Sequence, residues 1–94
     1  MHREEREMSI SLKDFFRLLP IALKDIEYQI SNNDIYVSYA GGKIEIKPGS
    51  EYSRQIASLT LPVLDVVFTF NEVSADDISN FMVGFSRVYQ RGGG

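Results

Sequence analysis

The sequence predicts an α+β fold in which a curved antiparallel sheet of four or five strands carries an N-terminal and a C-terminal helix on one face. Apolar residues recur every three or four positions near both ends of the chain, which is the spacing of a helix. Between these segments they recur every second position, which is the spacing of a strand, and turn signals separate the alternating runs. The predicted order is (β)-α-β-β-β-β(-β)-α, where brackets mark optional strands.

Residues 1–8 form a charged segment that contains the single histidine, His2. We expect this segment to be a frayed terminus, followed by one α+β domain over residues 9–91 and a flexible glycine tail over residues 92–94. A short edge strand over residues 8–11 is the only element predicted before the first helix. The charged start does not resemble a signal peptide, and no apolar run reaches the ~18 residues of a membrane span. A cytoplasmic protein without membrane contact is therefore expected.

The first helix is predicted to begin after Ser11, whose side chain suits the N-cap position, and Asp14 follows three residues later as in a capping box. Pro20 interrupts the apolar spacing. Because proline lacks an amide donor and clashes with the preceding turn, we expect a kink or a fresh turn there. The apolar stripe of this helix consists of Leu12, Phe15, Phe16, Leu19 and Leu23.

The apolar period changes to two over residues 26–47, which contain three alternating segments. The two asparagines at 32–33 supply the positive φ angles of a tight hairpin turn, and the two glycines at 41–42 are predicted as the second turn. The segments form a meander with one apolar and one polar face. This pattern is typical of an antiparallel sheet covered on one side.

Residues 50–54 are predicted as a connecting loop, and residues 56–61 and 64–70 as strands. Pro62 cannot donate to a ladder, so it marks a bend, a bulge or an edge, and the sequence leaves open whether it divides one long strand into two. The order of elements resembles the β-α-β4-α layout of one half of the TATA-box-binding protein family, in topology and without any motif. This resemblance implies a sheet that curves around its helices and leaves its other face open.

The second helix is predicted to begin after Ser74, with Asp77 at the capping-box position. Gly84 lies inside this helix, where glycine costs about 1 kcal/mol relative to alanine. We therefore expect a strand or helix to approach closely at that point. The apolar stripe of this helix consists of Ile78, Phe81, Met82, Phe85 and Tyr89.

Composition argues against several kinds of chemistry. The chain has no cysteine and one histidine, so thiolate sites, disulfides and most histidine-based metal sites are excluded. Ten Lys and Arg residues against 13 Asp and Glu residues give a net charge of −3, which makes nucleic acid an unlikely partner. The carboxylates fall in helix caps, turns and polar strand faces. We therefore predict no catalytic residue, no cofactor and no metal.

The helix-free face of the sheet is predicted to be mostly polar with a small apolar centre. The candidate interaction surface on this face comprises Tyr36, Ser38, Val67 and Thr69. Interface cores favour tyrosine and tolerate a polar rim. With 12% aromatic residues and no catalytic set, the sequence predicts a non-catalytic interaction or assembly module that binds itself, as a homodimer, or another protein.

The tail suggests an alternative function. The chain ends in Arg91, Gly92, Gly93 and Gly94, which resembles the glycine termini of ubiquitin-like proteins and sulfur carriers. This resemblance implies a carrier whose C-terminal carboxylate is activated, although those proteins end in a strand before the glycines and a helix is predicted here. A third alternative is a binder of a small apolar ligand between the helices and the sheet.

Overall fold

Six antiparallel strands and two helices make up the fold, in the order β-α-β-β-β-β-β-α. The computed structural model describes residues 1–92, with side chains up to residue 90. The sheet order is β1-β6-β4-β3-β2, and β5 pairs with the remaining part of β6. The elements are β1 (His2–Met8), α1 (Leu12–Ala22), β2 (Glu27–Ser31), β3 (Asp34–Tyr39), β4 (Gly42–Pro48), β5 (Tyr52–Ile56), β6 (Leu59–Asn71) and α2 (Ala75–Gly92).

Both helices pack on the same face of the sheet, as the sequence predicts. The two apolar helix stripes close over the inward rows of the strands in one hydrophobic cluster. Aromatic rings join the layers: Phe15 of α1 stacks on Tyr89 of α2 with ring centroids 5.3 Å apart, and Phe68 of β6 meets Phe85 of α2 at 5.2 Å. The inward strand residues are Ile35, Val37, Ile44, Ile46, Leu64, Val66, Phe68 and Phe70.

The charged start of the chain is a strand rather than the frayed terminus expected from its composition. β1 pairs with β6 along its full length, from His2 opposite Phe70 to Met8 opposite Leu64. Backbone pairing needs no apolar side chain, and same-face neighbours on β1 form ion pairs, with Arg3 and Glu5 at 3.0 Å. A highly charged segment can therefore form an edge strand.

One of the two predicted hairpin turns lies where the sequence places it, and the other is shifted by one residue. Asn32 and Asn33 have φ angles of 52° and 71°, so they form the first turn as predicted. The second turn is formed by Ala40 and Gly41 rather than by the two glycines. Gly42 belongs to β4, where a Cβ atom would lie 2.5 Å from the carbonyl oxygen of Asn71. Close backbone approach, not a turn, explains this glycine.

Helix α1 begins as predicted and continues past its proline. The Ser11 hydroxyl accepts a hydrogen bond from the Asp14 amide at 3.1 Å, and the Glu51 carboxylate accepts one from the Leu12 amide at 2.7 Å. Glu51 therefore caps this helix from a distant loop. Pro20 lies in the last turn of the helix, so no new turn starts there and only one amide donor is lost.

β4 and β5 form one long hairpin with β6, interrupted by a bulge. Pro48 stands opposite Val66 and Tyr52 stands opposite Val63, so four steps on one strand match three on the other. The sequence predicted a loop where β5 lies and placed a strand start at Ile56, where β5 ends. The predicted loop is wrong because β5 alternates without burying any residue, so it lacks the apolar row on which a strand prediction depends.

Pro62 lies inside β6 and does not divide it. The two-residue turn between β5 and β6 is closed by a hydrogen-bonded pair, Ile56 and Leu59, and hydrogen-bonded and non-hydrogen-bonded pairs alternate along the hairpin from there. Pro62 and Ser53 therefore form a non-hydrogen-bonded pair. The nitrogen of Pro62 therefore points away from β5, to the side on which β1 has already ended at Met8. No ladder donor is missing, which is why a proline is tolerated here.

Helix α2 begins at the predicted cap, where the Ser74 hydroxyl accepts from the Asp77 amide at 3.2 Å. The expected close approach at Gly84 is wrong. This glycine is exposed, and a Cβ atom built on it would meet nothing within 4 Å. The helix extends through Arg91 and Gly92, while Gly93 and Gly94 lie outside the described residues.

Candidate interaction surfaces

The four residues predicted as an interaction surface all lie on the helix-free face of the sheet. Tyr36 and Ser38 are on β3, and Val67 and Thr69 are on β6. β4 runs between these two strands and contributes the ion pair of Lys47 Nζ and Glu45 Oε1, at 2.8 Å. The apolar side chains of β3 and β6 are therefore separated by a charged row.

Cross-strand neighbours make this face polar around each predicted residue. Tyr36 stands opposite Glu45 and Gln29, and the Ser38 hydroxyl accepts a hydrogen bond from Lys43 Nζ at 3.1 Å. The Glu45 carboxylate raises the pKa of the Lys47 ammonium above its usual value through their hydrogen bond. The role of this face in binding stays a prediction.

β5 pairs with residues 59–63 of β6 in a hairpin that we call the arm, which is buried at its base, at Val63, and exposed toward its tip. All five residues of β5 are exposed, and the molecule measures 46 Å along its longest axis against 24 and 22 Å along the others. At the tip, Ile56 stands opposite Leu59, and these side chains are 52% and 61% exposed. These two aliphatic side chains are outside the hydrophobic core, so their exposed surface does not stabilise the fold.

The arm has one apolar and one polar face, because paired residues share a face. Ser53, Gln55, Thr60 and Pro62 form the polar face. The other face continues the odd-numbered, helix-free side of β6. Its residues are Tyr52, Arg54, Ile56, Leu59, Leu61 and Val63.

Polar contacts on the helix-free side fix the base of the arm. Arg54 Nη2 lies 2.6 Å from Glu7 Oε1 of β1, and the Tyr52 hydroxyl donates to Asp65 Oδ1 at 3.3 Å. The Glu7 carboxylate raises the pKa of the Arg54 guanidinium. The pKa of the Tyr52 phenol is raised mainly by desolvation and, to a smaller extent, by the negative charge of Asp65. The arm is therefore anchored at its base while its apolar tip is exposed.

The two edge strands of the main sheet differ in charge. β1 carries five Arg and Glu residues among its seven, and charged side chains discourage pairing with another chain. β2 has the sequence EYQIS, with Glu27 as its single charged residue and no proline. Ile30 of β2 is 50% exposed, although its cross-strand partner Ile35 is fully buried. β2 is thus the less protected edge.

A cleft of about 330 Å³ lies between β1 and α2. Phe68, Met82 and Phe85 line it together with Arg6 and Gln90. These three apolar residues also belong to the hydrophobic core. Binding of a small apolar ligand between the helices and the sheet stays a prediction.

The carboxylates with side-chain contacts have structural roles within the described residues. The Asp14 carboxylate pairs with Arg17 in the first turns of α1, and the Asp77 carboxylate accepts a hydrogen bond from the Ser74 cap of α2. Glu51 caps α1, and Asp65 and Glu7 hold the arm. Between residues 1 and 90, no charged side chain is buried, and Tyr89 is the one buried side chain with a polar group. In the described part of the chain, no three His, Asp or Glu side chains lie where they could hold a metal ion.

Tyr89 is buried and makes a hydrogen bond between the two helices. Its hydroxyl donates to the Phe15 carbonyl oxygen at 2.8 Å and so ties α2 to α1. Burial raises the pKa of the Tyr89 phenol well above its usual range. The folded state therefore keeps this proton at pH values at which the unfolded chain releases it.

Replacing Tyr89 by phenylalanine is expected to lower the free energy of unfolding by about 1 kcal/mol at neutral pH, because the hydrogen bond is lost. Above about pH 10 the unfolded tyrosine ionises while the folded one stays protonated, so the wild type loses up to about 1.4 kcal/mol per pH unit from this group. The variant should lose less with rising pH. Urea denaturation between pH 8 and 11 measures both effects, and Tyr36→Phe is the control at an exposed tyrosine. If the free energy of unfolding changed with pH in the same way for the wild type and Tyr89→Phe, the raised pKa of Tyr89 would be wrong.

Comparisons of the chain with protein-family models, curated proteins and solved structures find no match. Within residues 1–92, neither helix is long and apolar enough to cross a membrane. Of the tail residues predicted for carrier chemistry, Arg91 and Gly92 belong to α2, and Gly93 and Gly94 lie outside the described residues.

The arm and the open edge of β2 are the features that sequence reasoning missed. A signal for the arm was present: Tyr52, Arg54 and Ile56 alternate with Ser53 and Gln55, which is a strand period. The exposure of Ile30 had no signal, because its alternation with Gln29 and Ser31 is the same as that of a buried strand residue.

Proposed function

We propose that this protein is a non-catalytic interaction module that associates with itself and uses the arm as a contact element. The observation that carries the proposal is the exposed aliphatic pair at the arm tip, Ile56 and Leu59. Hairpin tips are ordinarily polar, because their residues face water on all sides. Covering the exposed half of each side chain contributes about 1 kcal/mol to binding.

The composition of the arm favours a protein surface as its partner. Its apolar face combines aliphatic residues with Tyr52 and Arg54, and tyrosine and arginine are enriched at protein interfaces. Its polar face remains solvated when the apolar face is covered. The arm therefore presents one side to a partner without leaving the other side desolvated.

Changing the apolar pair at the tip tests the proposal. The double variant Ile56→Lys with Leu59→Glu keeps the net charge and places opposite charges across the hairpin, which a strand pair tolerates. The matched control is Gln55→Lys with Thr60→Glu, the neighbouring pair on the polar face of the same arm. Light scattering and sedimentation over a range of concentrations measure association, and circular dichroism checks the fold.

The wild type and the control are expected to increase in mass with concentration, and the tip variant is expected to need a roughly tenfold higher concentration for the same mass. A wild type that stays monomeric at all concentrations would overturn self-association. Equal behaviour of the two double variants would instead remove the arm from the proposal.

A further inference from the structure

We propose that two copies of this chain pair through the free edges of their β2 strands, in an antiparallel register centred on Gln29, and form one continuous sheet. This inference rests on the proposed self-association and names the surface that produces a symmetric dimer. It follows from the hydrogen-bond phase of β2, from its side-chain register and from the exposure of Ile30.

The phase of β2 determines which backbone groups are free. The turn at residues 32–33 has two residues, so Ser31 and Asp34 form the hydrogen-bonded pair that closes it. Hydrogen-bonded and non-hydrogen-bonded pairs alternate along an antiparallel ladder, so Gln29 also bonds to β3. The N–H and C=O groups of Tyr28 and Ile30 therefore point to the free edge, where an added strand would bond to them.

Only one register uses both of these residues and matches the whole strand. Centred on Gln29, it places Tyr28 of one copy opposite Ile30 of the other, and the reverse, as hydrogen-bonded pairs. Gln29 then faces its own symmetry mate in a non-hydrogen-bonded pair. Shifting the centre to Tyr28 or Ile30 leaves part of β2 opposite a turn or a loop.

The side chains are complementary in this register. Tyr28 and Ile30 lie on the helix side of the sheet, since they stand opposite the buried Val37 and Ile35. The half-exposed Ile30 is therefore covered by the partner's Tyr28 ring, and aromatic and β-branched residues make favourable cross-strand pairs. On the other face Glu27 stands opposite the partner's Ser31, so no like charges meet.

The opposite edge of the sheet does not offer this contact. β1 carries charges on both faces, which natural sheets use to prevent edge pairing. In the β2 dimer, the two-fold axis through the Gln29 pair reverses the strand direction of the second copy, so the two arms point in opposite directions. The arms stay accessible, so the edge contact and the arm contact can exist in the same assembly.

A cysteine at position 29 tests the register directly, because the chain has no native cysteine. A non-hydrogen-bonded pair has Cα atoms about 4.5 Å apart, within the range that a disulfide spans. Under oxidised glutathione, Gln29→Cys is expected to become a disulfide-linked dimer with native circular dichroism. Adding Ile30→Lys, a charge on the edge, should reduce the dimer yield roughly tenfold.

Two further variants serve as controls for random collision. Glu27→Cys and Ser31→Cys should each stay monomeric when oxidised alone, because identical positions then lie about 13 Å apart along the strand. A mixture of the two is expected to crosslink, since Glu27 stands opposite the partner's Ser31. Non-reducing electrophoresis followed by mass spectrometry identifies the linked pair.

The outcomes separate this inference from the proposed function. A wild type that associates while Gln29→Cys crosslinks no more than Glu27→Cys would overturn the edge dimer and leave self-association standing. A wild type that is monomeric at all concentrations would overturn both. Crosslinking at Gln29 together with the mixed Glu27 and Ser31 pair supports the register, whatever the arm variants do.

Discussion

Replacing Phe85 by alanine is expected to lower the free energy of unfolding by about 3–5 kcal/mol. Phe85 is buried at the centre of the aromatic cluster, with its ring 4.7 Å from Tyr89, 5.2 Å from Phe68 and 5.7 Å from Phe81. Its removal leaves a cavity that three rigid rings cannot fill. A domain of this size has a stability of roughly 5–10 kcal/mol, so about half of it would be lost.

Chemical denaturation followed by circular dichroism measures this loss. Val83→Ala is the matched control, because Val83 lies two residues away on the same helix and is 53% exposed. Its effect should stay within about 0.5 kcal/mol. Similar losses in both variants would mean that Phe85 does not occupy the centre of the core.

Alanine at two glycines is expected to act in opposite directions. Gly42→Ala should destabilise the fold by about 3 kcal/mol, because the new Cβ atom would overlap the backbone carbonyl oxygens of Asn71 and Glu72, which cannot move away as a side chain can. Gly84→Ala should stabilise the fold by about 1 kcal/mol, because its site on α2 is open and alanine is the better helix former.

The same denaturation experiment measures both glycine variants, and each serves as the control for the other. A stabilising Gly42→Ala would show that β4 does not approach the end of β6 closely. A destabilising Gly84→Ala would show that something packs on the outer side of α2, which would add a contact surface to those described above.

The elements with both a period and a boundary signal could be predicted from the sequence. Helix α1 follows from Ser11 and Asp14 and from its apolar stripe, and the turn at Asn32 and Asn33 follows from their tolerance of positive φ angles. Periodicity failed where a strand buries nothing. β1 and β5 are held in the sheet by backbone pairing with β6. The charge of β1 and the exposure of β5 give no apolar pattern from which this pairing could be predicted.

The candidate surfaces were harder to predict than the fold. The sequence placed Tyr36 and Val67 on one face correctly, because alternation assigns faces. It did not show that the charged pair of Glu45 and Lys47 lies between them, since strand order depends on which distant segments pair. The strand period of β5 is visible in the sequence, but its pairing with β6 as a separate hairpin depends on the bulge between β4 and β5.

The sequence by itself determined the class of this protein: two amphipathic helices, an alternating meander, and enough apolar residues for one core. These properties are local, because a period and a cap are set by neighbours along the chain. Only the tertiary structure decided that β6 is the strand on which β1, β4 and β5 all pair, and that Ile30, Ile56 and Leu59 stay exposed. Exposure is a property of the whole assembly of elements, because the same alternating strand is buried or solvated according to what packs over it.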